Sequence, residues 1–594
     1  MPYFPTLSET YSTQQVTDVF QGYNHNMKIG DGEFYDMQNL TSSFYPLLAN
    51  RGKRGTVSSL TAPKALLAKS KLAYIDGTKL FYADNDLTPY LNAAGFSISS
   101  SEKMLPKQLV SMGAYIVIYP DKLYINTENY KDCGSIEAFY SSSGEIQYTM
   151  CKVDGTEYDT PTIGTAEPEN PANGALWIDT SSSTHVLKQF SSSNGLWSQV
   201  ATVYTKISCA GIGKSFSKYD GVTISGSTVT TGNNEKQIEA LNGSKILYDC
   251  GDDYIVVVGL IDQAYTQTTG TVSVSRTMPD LDFITEAENR LWGCKYGLVD
   301  GQTVNQIYCC ALGDFKNWNQ FLHLSTDSWS ASVGTDGEWT GAVTHLGYPI
   351  FFKENCLHKV YISSSGAHQI ADTACRGVQK GSDHSLVVVN ETLYYKSITD
   401  ICAYDGSLPV SVSAQLGTER YFAAVAGSVG DKYYVSMKDS LDKWHLFAYD
   451  TQKGFWHHED DTHALQFARC DGELYYINAD TRALMCVGGL GEQEGAVHWS
   501  ATTGIMGYNY VEQKYISRFN LRMRLPIGSE ADMYIQYDSD GIWNHVGHMI
   551  GTGTKTFMLP VRPRRCDHFQ FKIEGTGEIR IYSFAKILEV GSDG

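Results

Sequence analysis

The chain has 594 residues, enough for roughly three to five domains, with 42% hydrophobic and 19% charged residues and a formal net charge of -19. Phosphate binding needs clustered Lys and Arg, so a balance this acidic argues against a nucleic-acid groove as the main surface, local basic pieces aside. The 39 Tyr and a 12% aromatic fraction favour strands, so a folded, mostly β chain is expected.

The start, "MPYFPTLSETYSTQQV", has neither a basic region nor an apolar run of a secretory leader, and no later stretch approaches the ~18 apolar residues of a membrane span. Folding in a cytoplasm is therefore expected. The 13 Cys include no C-x-x-C pair and read as reduced core residues, with no metal or cofactor implied.

Residues 1–139 read as an N-terminal arm and the first part of a β-propeller. In the arm, "ANRGKRG" (49–55) is a local basic piece expected at a strand end or a subunit contact. From residue 74 a phrase recurs: a Gly, Asp or Asn turn, then a short alternating strand ending in aromatics. It occurs as "YIDGTKLFYADN" (74–85), "YPDKLYINTEN" (119–129), "AENRLWGCKYG" (287–297), "VNETLYYKSITDICAYDG" (389–406), "VGDKYYVSMKD" (429–439) and "CDGELYYINADTRALMCV" (470–487). These are stacked β-hairpins, and units recurring every ~40–45 residues predict propeller blades.

Residues 140–277 break the pattern. Their composition turns to Ser, Thr, Gly and Asn after a Pro-rich linker, which predicts one or two small β-modules inserted into a blade loop, with one brief helix. Trp177 and Trp197 are spaced there as in small carbohydrate-binding modules, where rings stack on sugars, although packing inside the module is the favoured explanation.

Residues 278–494 resume the propeller. Within them "HHEDDTH" (457–463) gathers His457, His458, Glu459, Asp460, Asp461 and His463, and is expected to be a solvated hairpin loop, not a metal site. Residues 495–594 hold five alternating segments that predict a C-terminal β-sandwich. In it "YDSDGIWNHVG" (537–547) approaches the sialidase Asp box S-x-D-x-G-x-x-W, but its Ser539, Asp540, Gly541 and Trp543 are spaced one residue too tightly. A polar hairpin turn with Trp543 against the sheet is the expectation. "RPRRCDHF" (562–569) places Arg562, Arg564 and Arg565 at a predicted subunit contact. "GIGKS" (211–215) fails as a phosphate loop because Ser208 stands where the first Gly must be. With no catalytic signature at the right spacing, the expectation from sequence is that the chain is not an enzyme.

Three stretches carry a resemblance: "FQGYNHNMKIGDGEFYDMQNLTSSFYPLLANRGKRG" (20–55), "ENRLWGCKYG" with "IYCCALGDFKNWNQF" (307–321), and the tail from "YIQYDSDGIWNHVG" to "IRIYS". They resemble virion structural proteins of tailed bacteriophages and of prophages of Gram-positive bacteria. "PANGALWIDTSSSTHVLKQFSSSNGLWSQV" is similar to small domains inserted in phage tail proteins. A propeller with an inserted module looks like the nozzle or hub proteins of short tails. The resemblance implies a tail component located in the virion and assembled as a ring, six-fold being favoured. It also implies portal, adaptor or tail proteins as neighbours and passage of DNA without specific binding. The alternative is a tail-borne receptor-binding protein or glycan depolymerase.

Overall fold

The computed structural model of the protein describes residues 11–100, 107–229, 235–299, 301–322, 324–362, 367–507, 509–510 and 513–590. It is an all-β fold, with a propeller, an inserted β-region and a terminal sandwich.

The described residues give seven blades of four strands each, the seventh carrying the short extra strand Glu492–Gln493 at its edge. Their inner strands are Pro63–Ala68, Gln108–Met112, Phe283–Ala287, Gly341–His345, Val387–Val389, Phe422–Val429 and Ala464–Cys470, which define blades 1 to 7. Neighbouring inner strands contact one another around the ring, except that blade 4 meets blade 5 through the turn Asp383–Ser385, and blade 7 meets blade 1. The recurring sequence phrase is a blade hairpin: it joins the first two strands in blades 3, 5, 6 and 7, and the second and third strands in blades 1 and 2. Its turn residues take positive φ in pairs, as at Glu288–Asn289, Asn390–Glu391 and Asp471–Gly472, the geometry a two-residue hairpin needs. The second strands, such as Tyr115–Tyr119 and Thr392–Lys396, are buried along nearly their whole length because a neighbouring blade covers each face.

Each blade interface has its own apolar cluster: Phe352 with Leu393 and Tyr395 between blades 4 and 5, Leu446 with Leu474 between blades 6 and 7. Each such buried side chain contributes roughly 1.5–3 kcal/mol. Polar staples accompany them. The Gln466 amide of blade 7 bonds the backbone of Leu66 in blade 1 in both directions, at 2.8 and 2.9 Å. The ring closes out of sequence, since the outer strand of blade 7 is Gly55–Ser59, paired with Ala483–Cys486 from the far end of the chain.

The sandwich is larger than the sequence suggested. One sheet joins Leu40–Thr41, Leu48–Asn50, Arg580–Val590, Lys514–Leu525 and Gly553–Pro560, with Tyr11–Thr17 on Arg580–Val590. The other joins Glu33–Gln38, His498–Thr503, Phe569–Thr576, Glu530–Tyr537 and Asn544–Ile550. Residues 11–50, placed by sequence in an arm of the propeller half, thus supply strands to both sheets. Apart from local pairs such as Leu40–Thr41 with Leu48–Asn50, these strands pair with partners more than 400 residues away, beyond the reach of local pattern. Through Gly22–Tyr23 the second sheet runs on into the outer strand of blade 6, Phe455–Asp460. One core spans the joint, with Phe519, Phe571 and Phe584 of the sandwich in the same cluster as Tyr433, Phe447 and Trp456 of blade 6.

Arg51 and Arg54 lock that joint. The Arg54 guanidinium donates to Glu459 at 2.6 Å and to Asp460 at 2.7 Å, and Arg51 pairs with Glu494 and donates to Asn39 at 2.6 Å. Burial disfavours the Asp460 carboxylate, but Arg54 and the Thr462 hydroxyl outweigh it and hold its pKa below the ordinary value. The basic piece at 49–55 is thus an internal clamp, its arginines buried in an acidic pocket.

The inserted region runs from Ala138–Ser141 to Ser273–Arg276, two strands paired with each other. Its core, including Tyr148, Ile207, Val257 and Val274, contains no propeller residue. Contact with the propeller is polar. Arg276 donates to Asp220 and to the Ile136 carbonyl, and the Asn317 side chain of blade 3 bonds Asp220 and the Gly221 amide. Gly221 is needed there, because a Cβ would lie 2.3 Å from the Asn319 carbonyl oxygen.

Candidate functional site

A cavity of about 400 Å³ opens among the inner strands of blades 4 to 7, with His384, Ser428, Gln466 and Arg469 in its wall. It has one carboxylate among the described residues, Asp383, whose Oδ2 is 3.6 Å from His384 Nε2. The seven inner strands carry one carboxylate more, Glu286, which accepts the Asn289 amide at 2.9 Å. Glycoside hydrolysis uses two carboxylates facing one another across a cleft.

The segment 455–463 is not a solvated loop. Residues Phe455–Asp460 form the outer strand of blade 6, with His457, His458 and Glu459 buried under the sandwich. Burial lowers the His457 pKa to about 3, with the Lys432 charge adding to it. His458 Nδ1 donates to the Met37 carbonyl at 2.9 Å. Across the hairpin, His445 Nε2 donates to Asp439 at 3.0 Å, and its Nδ1 lies 3.3 Å from His458 Nε2. Asp461, exposed at the strand end, reaches within 3.9 Å of the same His458 nitrogen. His445 was missed in the sequence. The pairing of Leu446 with Asp460 sets a register whose next pair is His445 and Asp461, but the bulge that brings His458 to the same side has no local signature.

The two Trp of the inserted module lie together. Trp177 is buried, donates to the Gly164 carbonyl at 3.0 Å and meets Trp197 edge-on at 5.6 Å. Its face is covered by Lys188, 4.7 Å away, so it has no free face for a sugar; Trp197 is half-buried against Phe190.

In the sandwich, Asp538 and Ser539 take positive φ, and Asp538 accepts the amides of Asp567 and His568. The "YDSDG" stretch is a turn that clamps a neighbouring loop. Arg562, Arg564 and Arg565 are exposed on that loop. Arg564 bonds Asp540 at 3.2 Å and lies over the Tyr537 ring, and with Arg562 and His545 it borders a cavity of about 520 Å³. All 13 Cys are free of disulfides, ten of them buried. Among the described residues no helix is long and apolar enough to cross a membrane.

No protein-family model and no curated protein matches the chain. Among solved structures it is similar to an exo-β-1,3-galactanase from Phanerochaete chrysosporium, at 8% identity and TM-score 0.22, over 50% of this chain and 95% of that one. It is also similar to a glycoside hydrolase family 43 arabinoxylan arabinofuranohydrolase from Bacillus subtilis, at 8% identity and TM-score 0.18, over 51% and 94%. A third is an engineered family 43 enzyme with endo-xylanase and exo-arabinofuranosidase activity, at 9% identity and TM-score 0.20, over 52% and 97%. Likeness at this level concerns fold alone. The expectation that the chain is not an enzyme is corrected only to this extent: the solved structures it resembles are enzymes, and fold likeness of this kind neither assigns nor excludes an activity. Residues that converge from separate blades leave no spaced motif in the sequence, so a missing motif does not exclude catalysis.

Proposed function

We propose that the chain is a ring-forming structural subunit of a bacteriophage tail, six copies enclosing a passage for the genome. The observation that carries this reading is the interlock of propeller and sandwich: the segment 11–59 threads both sandwich sheets and then closes the propeller. A ring that bears load during ejection needs subunits that do not shear between domains, and the acidic charge of -19 suits a wall that DNA slides past. The resemblance of residues 20–55 and of the tail to virion proteins supports the same reading. Arg562, Arg564 and Arg565, exposed in an acidic chain, suit contact with a neighbouring copy's carboxylates.

Electron microscopy of the purified protein tests this. Six-fold rings are expected, and reversing the three arginines to Glu should weaken ring formation while leaving the monomer folded. Trimers, or rings of unchanged stability in the reversed variant at moderate salt, overturn the assignment of ring or contact respectively.

A second reading, glycan recognition or cleavage by a tail-borne protein, is favoured by one observation: Asp383, His384 and Arg469 line the same propeller cavity. Reproducible release of reducing ends from cell-wall or capsular polysaccharide, lost in Asp383→Asn, would establish it.

A further inference from the structure

The imidazoles of His445 and His458 face each other with their proton positions already assigned. A carbonyl and a carboxylate only accept hydrogen bonds, so the Met37 carbonyl fixes the proton of His458 on Nδ1 and Asp439 fixes that of His445 on Nε2. In the neutral rings this leaves two bare lone pairs, on His458 Nε2 and His445 Nδ1, pointing together at 3.3 Å. Two lone pairs at that distance repel unless something positive sits between them. The Asp461 carboxylate stands beside them, and the three ligand atoms all lie within 4.8 Å of one another.

We propose that His445, His458 and Asp461 form a binding site for a divalent cation of the zinc class, which pins the blade 6 hairpin beneath the sandwich. The separation of the nitrogens fits. With metal–nitrogen bonds of about 2.0–2.1 Å, a 3.3 Å separation corresponds to an angle at the metal of about 104–111°, close to tetrahedral. Imidazole nitrogen with one carboxylate is a donor set zinc accepts, whereas calcium and magnesium prefer oxygen alone. The outer partners are those that orient metal-binding histidines elsewhere: a backbone carbonyl behind one ring and a carboxylate behind the other. Asp461 is exposed and His445 partly so, which gives a cation an entry path and leaves a fourth position to water. The site ties the hairpin of residues 444–461 to the strand Glu33–Gln38 through Met37, so an occupied site stabilises the joint between propeller and sandwich.

The experiment uses the full chain, stripped with a chelator and titrated with zinc chloride, with calorimetry, metal analysis and thermal melting read in parallel. One zinc per chain is expected, bound at about micromolar or tighter, with a rise in melting temperature that the chelator reverses. Cobalt in its place should give the intense visible absorption of a four-coordinate site. His445→Gln and Asp461→Asn alter partly exposed side chains and should keep the fold while weakening binding about tenfold or more. His458→Gln is the harsher variant, since its ring is buried. Stoichiometric binding that survives in His445→Gln places the metal elsewhere and overturns the proposal. Failure to take up zinc at millimolar concentration overturns it too, and leaves a shared proton between the two rings as the answer to their approach. Neither result depends on whether the chain forms rings.

Discussion

The sandwich and the inserted module are both β-rich additions to one propeller, yet they are attached in opposite ways. The sandwich shares a sheet, a core and a buried charge cluster with blade 6, and its own strands come from both ends of the chain. The module enters and leaves on two paired strands and keeps its core to itself. An attachment built from shared apolar core and backbone pairing makes two domains one cooperative unit. One built from a few polar contacts leaves them separable.

The sharpest way to break this comparison is at the clamp. Arg54→Met strips the buried Glu459 of its close partner, leaving only Arg51 at 4.0 Å, and strips Asp460 of one, which is expected to cost about 3–5 kcal/mol, whereas a matched apolar replacement of both sides is often neutral. Urea unfolding should therefore show Arg54→Met far below the parent, and Arg54→Met with Glu459→Leu partly restored. Sandwich and propeller signals should fall together in both. If the sandwich unfolds in a separate step while the propeller stays intact, the joint is not one cooperative unit.

Acid should act on the same joint. His457 keeps a folded pKa of about 3 against an ordinary 6.5, so between those values the unfolded chain binds a proton the folded chain refuses. Stability from this residue is complete above pH 6.5 and is lost as pH falls towards 3. At pH 5 the loss is about 2 kcal/mol, from a gap of roughly 1.5 units. Melts at pH 7 and pH 5 should show that difference, and His457→Phe should flatten it. An unchanged slope in the variant would move the acid sensitivity elsewhere. The module has a single histidine, His185, so its own unfolding should respond less.

What the sequence made legible follows the same division. The hairpin phrases read correctly because each turn and its two strands are contiguous, as in "CDGELYYIN", where Asp471 and Gly472 alone set the turn. The number of blades did not, because blade 7 borrows Gly55–Ser59 and the module separates blade 2 from blade 3. Arg51 and Arg54 read as a surface piece because their acidic partners, Glu459, Asp460 and Glu494, lie about 400 positions further on. Part of the histidine site was visible in "HHEDDTH", but alternation would have put Asp461 with His457 and Glu459. The bulge between Leu446 and Phe447 instead brings His458, with Asp461 beside it, to His445. For Trp177 the type and spacing left both a sugar-stacking face and core packing open, core packing being the favoured one, and its burial under Lys188 agrees with the latter.

Removing the module should have the smallest effect of the three. Ala138 lies opposite Arg276, so the strands that lead in and out are already neighbours, and a short Gly/Ser linker from Glu137 to Thr277 can bridge them without moving either end. The residues just outside that cut, Ile136 and Met278, belong to the core between blades 2 and 3 and remain. What is lost is the Arg276 bond to the Ile136 carbonyl and the cover that Asp220 and Gly221 give to Asn317, a polar side chain that water can satisfy once exposed. Closing a short flexible loop adds roughly 1 kcal/mol at most. The shortened chain should therefore be soluble and melt in one transition, within about 2 kcal/mol of the parent by urea unfolding, a loss typical of ordinary point changes. The excised residues 138–276, with their own apolar core, should fold when expressed alone. A molten or insoluble propeller would show that the module is part of the ring's stability, and the contrast with the sandwich would fail at its weaker end.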